Sequence, residues 1–245
     1  MISIGNDIIA LKTIDIPRTR SFRFYSKILS VPEQQLYQEQ FTTIPFELFV
    51  WLLWSVKESV YKCLQRHEAQ LFFSPIKIEL SRLIVPSIPS PYFNEELKNT
   101  GFADNECFCS EVVFESRLFY ARSVIYGDEV INTVAQTMAC HGELVEPLSE
   151  GHPHASLRQA QADKASFNSI HWGIKQIAQT DSENQSAAVR AFLLENISTM
   201  FPGQQVSVGK SASGYPFILV DDKELDVPVS LSHHSEYVGY ALLFV

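Results

Sequence analysis

A chain of 245 residues with 46% hydrophobic and 19% charged side chains is long enough to pack one domain of two lobes, or two small domains. No run of about eighteen uninterrupted apolar residues occurs, since the richest segment, Phe41 to Val60, carries Glu47, Lys57 and Glu58; a helical membrane span is therefore not expected. A net charge of −9 argues against a general nucleic-acid binder, which needs clustered Lys and Arg against phosphate.

The opening residues 2–9 (ISIGNDII) are rich in β-formers and read as a strand ending in a Gly-containing turn. Residues of about 18–29 and 32–41 read as short helices, the second introduced by Pro32 in its first turn. From Phe46 to Arg66 the apolar positions Phe49, Leu52, Leu53, Val56, Val60 and Leu64 recur at helical spacing and predict a long amphipathic helix. Residues 74–85 alternate like a strand, and a proline-rich connector follows at 86–93. Residues 107–116 and 117–127 form two strand-like runs, a hairpin around Ser116.

From Gln136 to Lys164 the character changes to His, Gly, Pro, Gln, Ala and Glu without a sustained period, which predicts a polar linker. Its His141, His152 and His154 include an H-x-H pair but have no nearby Cys or ordered carboxylate to complete a metal site, and the stretch is similar to a short dispersed bacterial DNA repeat translated in frame. Beyond it, Ala187 to Met200 reads as a second amphipathic helix. Residues 205–220 read as two strands around a Ser/Gly turn, and 227–245 as a strand, a His-bearing turn and a last strand. The expected fold is α+β, with two similar lobes of helix plus antiparallel sheet: residues 1–135, a linker at 136–165, and residues 166–245.

Four unevenly spaced cysteines, with Cys107 and Cys109 in a C-x-C that places both on one strand face, read as reduced core thiols rather than a zinc site. With no basic region or small-residue cleavage site at the start of the chain, a cytoplasmic location is expected. Charge is uneven: Lys12, Arg18, Arg20, Arg23 and Lys27 cluster against Asp15 alone, a patch suited to an acidic partner or simply a solvated face.

Three groups can carry chemistry. Asp7 follows Gly5-Asn6 near the end of an apolar strand, where such a residue commonly forms a turn. In Trp54-x-x-Lys57-Glu58-x-x-x-Lys62, Glu58 and Lys62 share one helix face while Lys57 is rotated by about 100°. An i,i+4 pair is normally a surface stabiliser, but this one interrupts the most apolar helix in the chain, and buried charges need partners such as a metal or an anionic ligand. Ser230-Leu-Ser232-His233-His234 can donate hydrogen bonds to a phosphate; no G-x-S-x-G elbow and no Walker loop accompanies it.

In this order, Gly5-Asn6-Asp7, Trp54-x-x-Lys57-Glu58-x-x-x-Lys62 and Ser230-Leu-Ser232-His233 resemble the 4′-phosphopantetheinyl transferase superfamily. Leu11-Lys12, the basic run through Arg23-Phe24, and Lys27-Ile28-Leu29 are similar to its short holo-acyl-carrier-protein synthases. The length is similar instead to its two-lobed type, with the Ser-His lobe placed last rather than first, which implies a pseudo-twofold monomer with the site between lobes. The resemblance implies Mg²⁺ (or Mn²⁺) on Asp7 and Glu58, with Glu58, Lys62 and Asp7 carrying the chemistry. It implies coenzyme A as co-substrate, its phosphates contacted by Lys57, Lys62, Ser232 and His233. It further implies an acidic acyl or peptidyl carrier protein, docked on Lys12, Arg18, Arg20, Arg23 and Lys27 and modified on serine. Two positions depart from the pattern. The family's Gly-Lys-Pro turn is Gly214-Tyr215-Pro216 here, leaving a phosphate contact to Lys210, and Ile9 stands where many two-lobed members have a third acid. These departures keep open a second reading, a weak paralogue that binds coenzyme A or a carrier without transfer. A third is an interaction module that retains only remnants of the site.

Overall fold

The computed structural model describes residues 2–68, 70–88, 92–137, 167–178, 180–212 and 214–244. The linker expected at 136–165 lies outside these, except for Gln136 and Thr137, which end a strand. Strands β1 (Ile4–Ala10), β2 (Glu79–Ile84), β4 (Phe108–Phe114), β5 (Arg117–Tyr126) and β6 (Val130–Thr137) form an antiparallel sheet in the order β1-β6-β5-β4-β2. A second sheet has the order β11-β12-β7-β3, from β3 (Glu96–Thr100), β7 (Ile170–Gln176), β11 (Val229–His234) and β12 (Tyr237–Leu243). A third joins β8 (Val206–Lys210), β9 (Pro216–Val220) and β10 (Lys223–Leu225). The fold is α+β, as expected.

Helices α1 (Ile16–Thr19) and α2 (Phe22–Tyr25) replace the single helix expected over 18–29, with Asp15 capping the first through the Arg18 amide at 2.9 Å. Helix α3 (Val31–Gln40) begins with a capping box: the Ser30 amide donates to Glu33 Oε2 at 2.8 Å, and the Glu33 amide to Ser30 Oγ. Helix α4 (Phe46–Gln65) matches its expected span to within a residue. Helix α5 (Ser182–Ile197) starts earlier than the expected Ala187 because Asp181 caps it through the Asn184 amide at 3.1 Å.

Both faces of the first sheet are covered. Val56, Val60, Cys63 and Leu64 of α4 pack on Val112, Phe119, Ala121 and Ala135. On the other face Ile4, Ile8, Tyr126 and Val134 meet Trp172, Ile174, Tyr237 and Ala241 of the second sheet. That sheet's far side carries α5, with Phe192, Leu193 and Ile197 against Val229, Val238 and Leu242. Each buried Val, Leu, Ile or Phe among them contributes about 1.5–3 kcal/mol. The connectivity repeats as well: β1 pairs with β6 and β6 with β5, and likewise β7 pairs with β12 and β12 with β11.

Two local expectations are corrected, and one strand is added. Gly5 does not turn the chain; it lies within β1, where a Cβ would sit 1.9 Å from the Ser59 carbonyl oxygen of α4, so glycine permits the close approach of strand to helix. His233 and His234 end β11, and the turn falls at Ser235 (φ 52°). Strand β3, polar in sequence, leaves the first half of the chain to edge the second sheet, pairing Asn99 with Trp172. The hairpin around Ser116 is as expected, with both Glu115 and Ser116 left-handed (φ 47° and 65°), the geometry of a tight primed turn. Among the described residues no helix is long and apolar enough to cross a membrane.

Candidate active site

Strand β1 alternates, and its two faces have different duties. Ile4, Asn6 and Ile8 point to the second sheet, while Asp7 points to α4. Asp7 is therefore inside the molecule, 4% exposed, rather than in a turn. Lys62, one turn after Glu58, places Nζ 2.9 Å from Asp7 Oδ1 and 3.4 Å from Glu58 Oε1, and donates to the Asn6 carbonyl at 2.8 Å. Asp7 Oδ2 is buried and has no hydrogen-bond partner among the described residues.

Burial pushes the Asp7 carboxyl up to about 7; Lys62 works against that rise and Glu58 adds to it. Burial disfavours the Lys62 charge, but Asp7 and Glu58 outweigh it and hold the ammonium above its usual range. The arrangement is two carboxylates converging on one cation, with Glu58 and Lys62 still partly open to solvent (28% and 24%).

Lys57, expected at a phosphate, is not brought to this cluster. Its ammonium is wholly buried, 2.6 Å from Glu33 Oε2 and 2.7 Å from the Ile28 carbonyl oxygen. Glu33 Oε1 accepts from the Leu80 amide at 2.8 Å, so the pair ties α3, α4 and β2 together. Desolvation lowers the Lys57 pKa, with Glu33 opposing.

Strand β11 lies along the open edge of β1 and serves it through side chains. The Asn6 amide donates to Ser230 Oγ at 2.8 Å, and the Ala10 amide to His234 Nδ1 at 2.8 Å. Ser232 Oγ donates to Asn6 Oδ1 at 2.5 Å, while Asn6 Nδ2 donates to Asn132 Oδ1 at 2.8 Å. Ser232 is thus engaged in holding the two sheets together and does not face the cluster, a correction to its expected phosphate contact. His233 points the other way and is exposed. Its pKa is lowered by partial burial and by Lys62 and His234, with Glu58 opposing.

The structure therefore brings together Asp7, Glu58 and Lys62, leaves His233 exposed on the neighbouring strand β11, and ties Lys57 to Glu33 and Ser232 to Asn6. Lys210 ends β8, folded over the turn that bears Tyr215, with Cε 3.6 Å from where a Gly214 Cβ would lie. Asn6 and His234 also organise the junction, and their positions inside the two short motifs are the sequence signal for it. His234 also lines a cleft of about 310 Å³ with Asp15, Arg18, Phe24, Trp51 and Trp54.

The basic segment is exposed throughout, at Lys12, Arg18, Arg20, Arg23 and Lys27. Lys12 pairs with Glu129 at 3.0 Å, Arg20 pairs with Glu47, and Arg18 covers Phe24 at 5.1 Å. Cys63, Cys107 and Cys109 are buried free thiols. The Cys107 and Cys109 sulfurs are 3.8 Å apart and group with Asp104, whose countercharge Arg122 supplies at 3.5 Å.

Fold and site together define an α+β protein with a paired-carboxylate centre where a strand meets a long helix. Residues 3–101 match the family model described as the 4′-phosphopantetheinyl transferase superfamily, so the chain carries a domain of that superfamily there. The matched span contains Asp7, Glu58 and Lys62, and ends before His233 and Lys210. No curated protein and no solved structure matches the chain.

Proposed function

We propose that the protein transfers the 4′-phosphopantetheine arm of coenzyme A to a serine of an acyl or peptidyl carrier protein, releasing 3′,5′-ADP. The observation that carries this reading is the convergence of Asp7 and Glu58 on Lys62, within the superfamily domain, with Asp7 Oδ2 buried and unpartnered. Two carboxylates beside an open face fit Mg²⁺, a hard cation that takes one or two carboxylates plus substrate phosphates, and Mn²⁺ fits the same donors. Bound by Asp7 and Glu58, the ion would neutralise charge on the coenzyme A pyrophosphate.

The remaining tasks fall to the chain. Lys62, freed from the carboxylates, donates to pyrophosphate oxygens and stabilises the departing 3′,5′-ADP. His233 donates to a phosphate from the second lobe. The carrier serine oxygen attacks the β-phosphorus, the bond from that phosphorus to the bridging oxygen breaks, and the serine proton passes to Glu58. The repeated connectivity of β1-β6-β5 and β7-β12-β11 supports reading the lobes as a pseudo-twofold pair within a monomer, divided near 136–165. The exposed cations Lys12, Arg18, Arg20, Arg23 and Lys27 form the dock for the acidic carrier. The tie of Lys57 to Glu33 and the Tyr215 turn favour the second reading, a coenzyme A binder without transfer.

The test is to incubate the protein with Mg²⁺, coenzyme A and a panel of apo carrier proteins and to measure intact masses. Addition of one arm to a carrier serine is expected. Tight coenzyme A binding without modification of any carrier would favour the binder, and neither binding nor transfer would favour an interaction module.

A further inference from the structure

The chain crosses from the second sheet to the first between β3 and β4, and three potential metal ligands meet at that crossing. Cys107 and Cys109 are two residues apart where β4 begins, so both side chains share the face of the first sheet that packs on Trp172 and Ile174. Asp7 leaves the opposite face of that sheet, toward α4. Asp104 comes from the turn just before β4, closed by the Glu106 amide donating to the Ala103 carbonyl at 2.9 Å. Its carboxylate and the two sulfurs lie within 4.8 Å of one another.

A C-x-C pair is closer in sequence than the usual zinc spacing, but strand alternation brings its sulfurs to 3.8 Å. Two thiolates, each about 2.3 Å from a tetrahedral ion, are themselves about 3.8 Å apart. A disulfide needs about 2.05 Å, so oxidation would have to draw the sulfurs much closer, whereas an ion requires no such movement. Core packing explains two thiols in contact, but not a guanidinium buried beside them. Arg122 stands directly across from Cys109 on β5 and lies over the Phe167 ring at 4.6 Å. Its Nε is 3.5 Å from Asp104 Oδ1 and is buried without a hydrogen bond among the described residues. While the thiols keep their protons, Asp104 and Arg122 balance each other. When a divalent ion displaces both protons, two thiolates and a carboxylate face the ion and the guanidinium, and the cluster is again neutral. A buried site needs that balance.

We propose that Cys107, Cys109 and Asp104 form a thiolate-rich site for Zn²⁺, a thiophilic ion suited to tetrahedral sulfur and carboxylate donors, with its fourth position left to water. Arg122 is a positioning residue that orients the Asp104 carboxylate, as outer partners of metal ligands do. The bound ion fastens the β3–β4 crossing and, with it, the contact between the two sheets. The site is independent of the transfer reading, because Asp7 and Glu58 offer oxygen donors only.

The experiment is titration of the full chain, kept reduced, first with Co²⁺ as a spectroscopic probe and then with Zn²⁺. Co²⁺ is expected to give the visible bands of a tetrahedral site and a thiolate-to-cobalt charge-transfer band in the ultraviolet, both abolished by Zn²⁺. Co²⁺ held by Asp7 and Glu58 would give no such charge-transfer band. The double variant Cys107→Ser, Cys109→Ser should lose the band, while Cys140→Ser keeps it. Asp104, with its side chain 40% exposed, tolerates substitution; Asp104→Asn should keep the band while Zn²⁺ affinity falls by about 10-fold or more. The wild-type melting temperature should rise with Zn²⁺ concentration, and that of the double variant should not. Absence of the charge-transfer band in the wild type overturns the site, as does a band that survives in the double variant. Undiminished Zn²⁺ affinity in Asp104→Asn overturns it as well, and that variant decides the matter if the double variant does not fold.

Discussion

The Lys57 ammonium lies 2.6 Å from Glu33 Oε2, with both side chains withdrawn from solvent, although Lys57 adjoins Glu58 in the sequence. One residue along a helix is a rotation of about 100°, enough to send neighbouring charges to different faces of α4. Lys57→Met would leave Glu33 as an uncompensated buried carboxylate, a loss of about 3–5 kcal/mol. In a chain of this size that lowers the melting temperature by roughly 10 °C. The expected result is a thermal scan showing that drop, with coenzyme A affinity of the folded protein nearly unchanged. Wild-type stability with weakened coenzyme A binding would put Lys57 at the ligand instead.

Glu58→Gln separates chemistry from folding. Glu58 is partly exposed and its partner Lys62 keeps Asp7 at 2.9 Å, so the fold should persist with little change in melting temperature. Under the proposed reaction, in which Glu58 accepts the serine proton and helps hold the metal, the substitution should reduce transfer by roughly 100- to 10,000-fold. A Gln variant that modifies carriers at the wild-type rate would remove Glu58 from the reaction.

Metal affinity should depend on pH through Asp7. Its carboxyl is raised from the ordinary 3.8 to about 7, first by burial and then by Glu58, against the pull of Lys62. The metal-free folded chain therefore keeps a proton that the unfolded chain loses near pH 4. That proton favours the folded form in acid, and the contribution fades as the pH rises through about 7. Metal binding needs the carboxylate, so at about pH 6 it should release close to one proton and at about pH 8 almost none. Calorimetry of Mg²⁺ binding in buffers of different ionisation enthalpy reads that number. No release at the lower pH, or the same release in Asp7→Asn, would exclude Asp7 as the linked group.

Much of the site was legible because its spacing is local. Glu58 and Lys62 share a face by helical period alone, and the apolar setting marks the pair as unusual for a surface ion pair. What sequence could not supply was the third dimension around each short motif. Ser232 and His233 are adjacent, yet strand alternation sends the hydroxyl inward to Asn6 and leaves the imidazole exposed. The Lys57–Glu33 tie is hidden for the same reason, since the two partners are 24 residues apart on different helices. The fold was read from its strongly periodic segments. Strand β3 escaped because an edge strand needs little apolar pattern, and β7 because Gly173 interrupts it, where a Cβ would meet the Tyr240 ring at 2.7 Å.

Two glycines bracket β1, and substituting them should give different outcomes. A Cβ on Gly5 would lie 1.9 Å from the Ser59 carbonyl oxygen and 3.0 Å from the Cys63 nitrogen, both backbone atoms of α4. Neither can yield without parting strand from helix, which is the contact that holds Asp7 against Lys62. Gly5→Ala should therefore cost several kcal/mol, at or beyond the usual upper range for overpacking. Any folded fraction should bind metal poorly. A Cβ on Gly239 instead meets the end of the Ile8 side chain, Cδ1 at 2.2 Å, with the Gly173 carbonyl oxygen at 3.0 Å. Shortening Ile8 removes the worst of that clash. Gly239→Ala should lose about 1–3 kcal/mol, and Ile8→Val in the same chain should restore part of it. Denaturant melts of the three variants test the contrast: if Gly5→Ala is as mild as Gly239→Ala, β1 and α4 are not held as closely as this geometry requires.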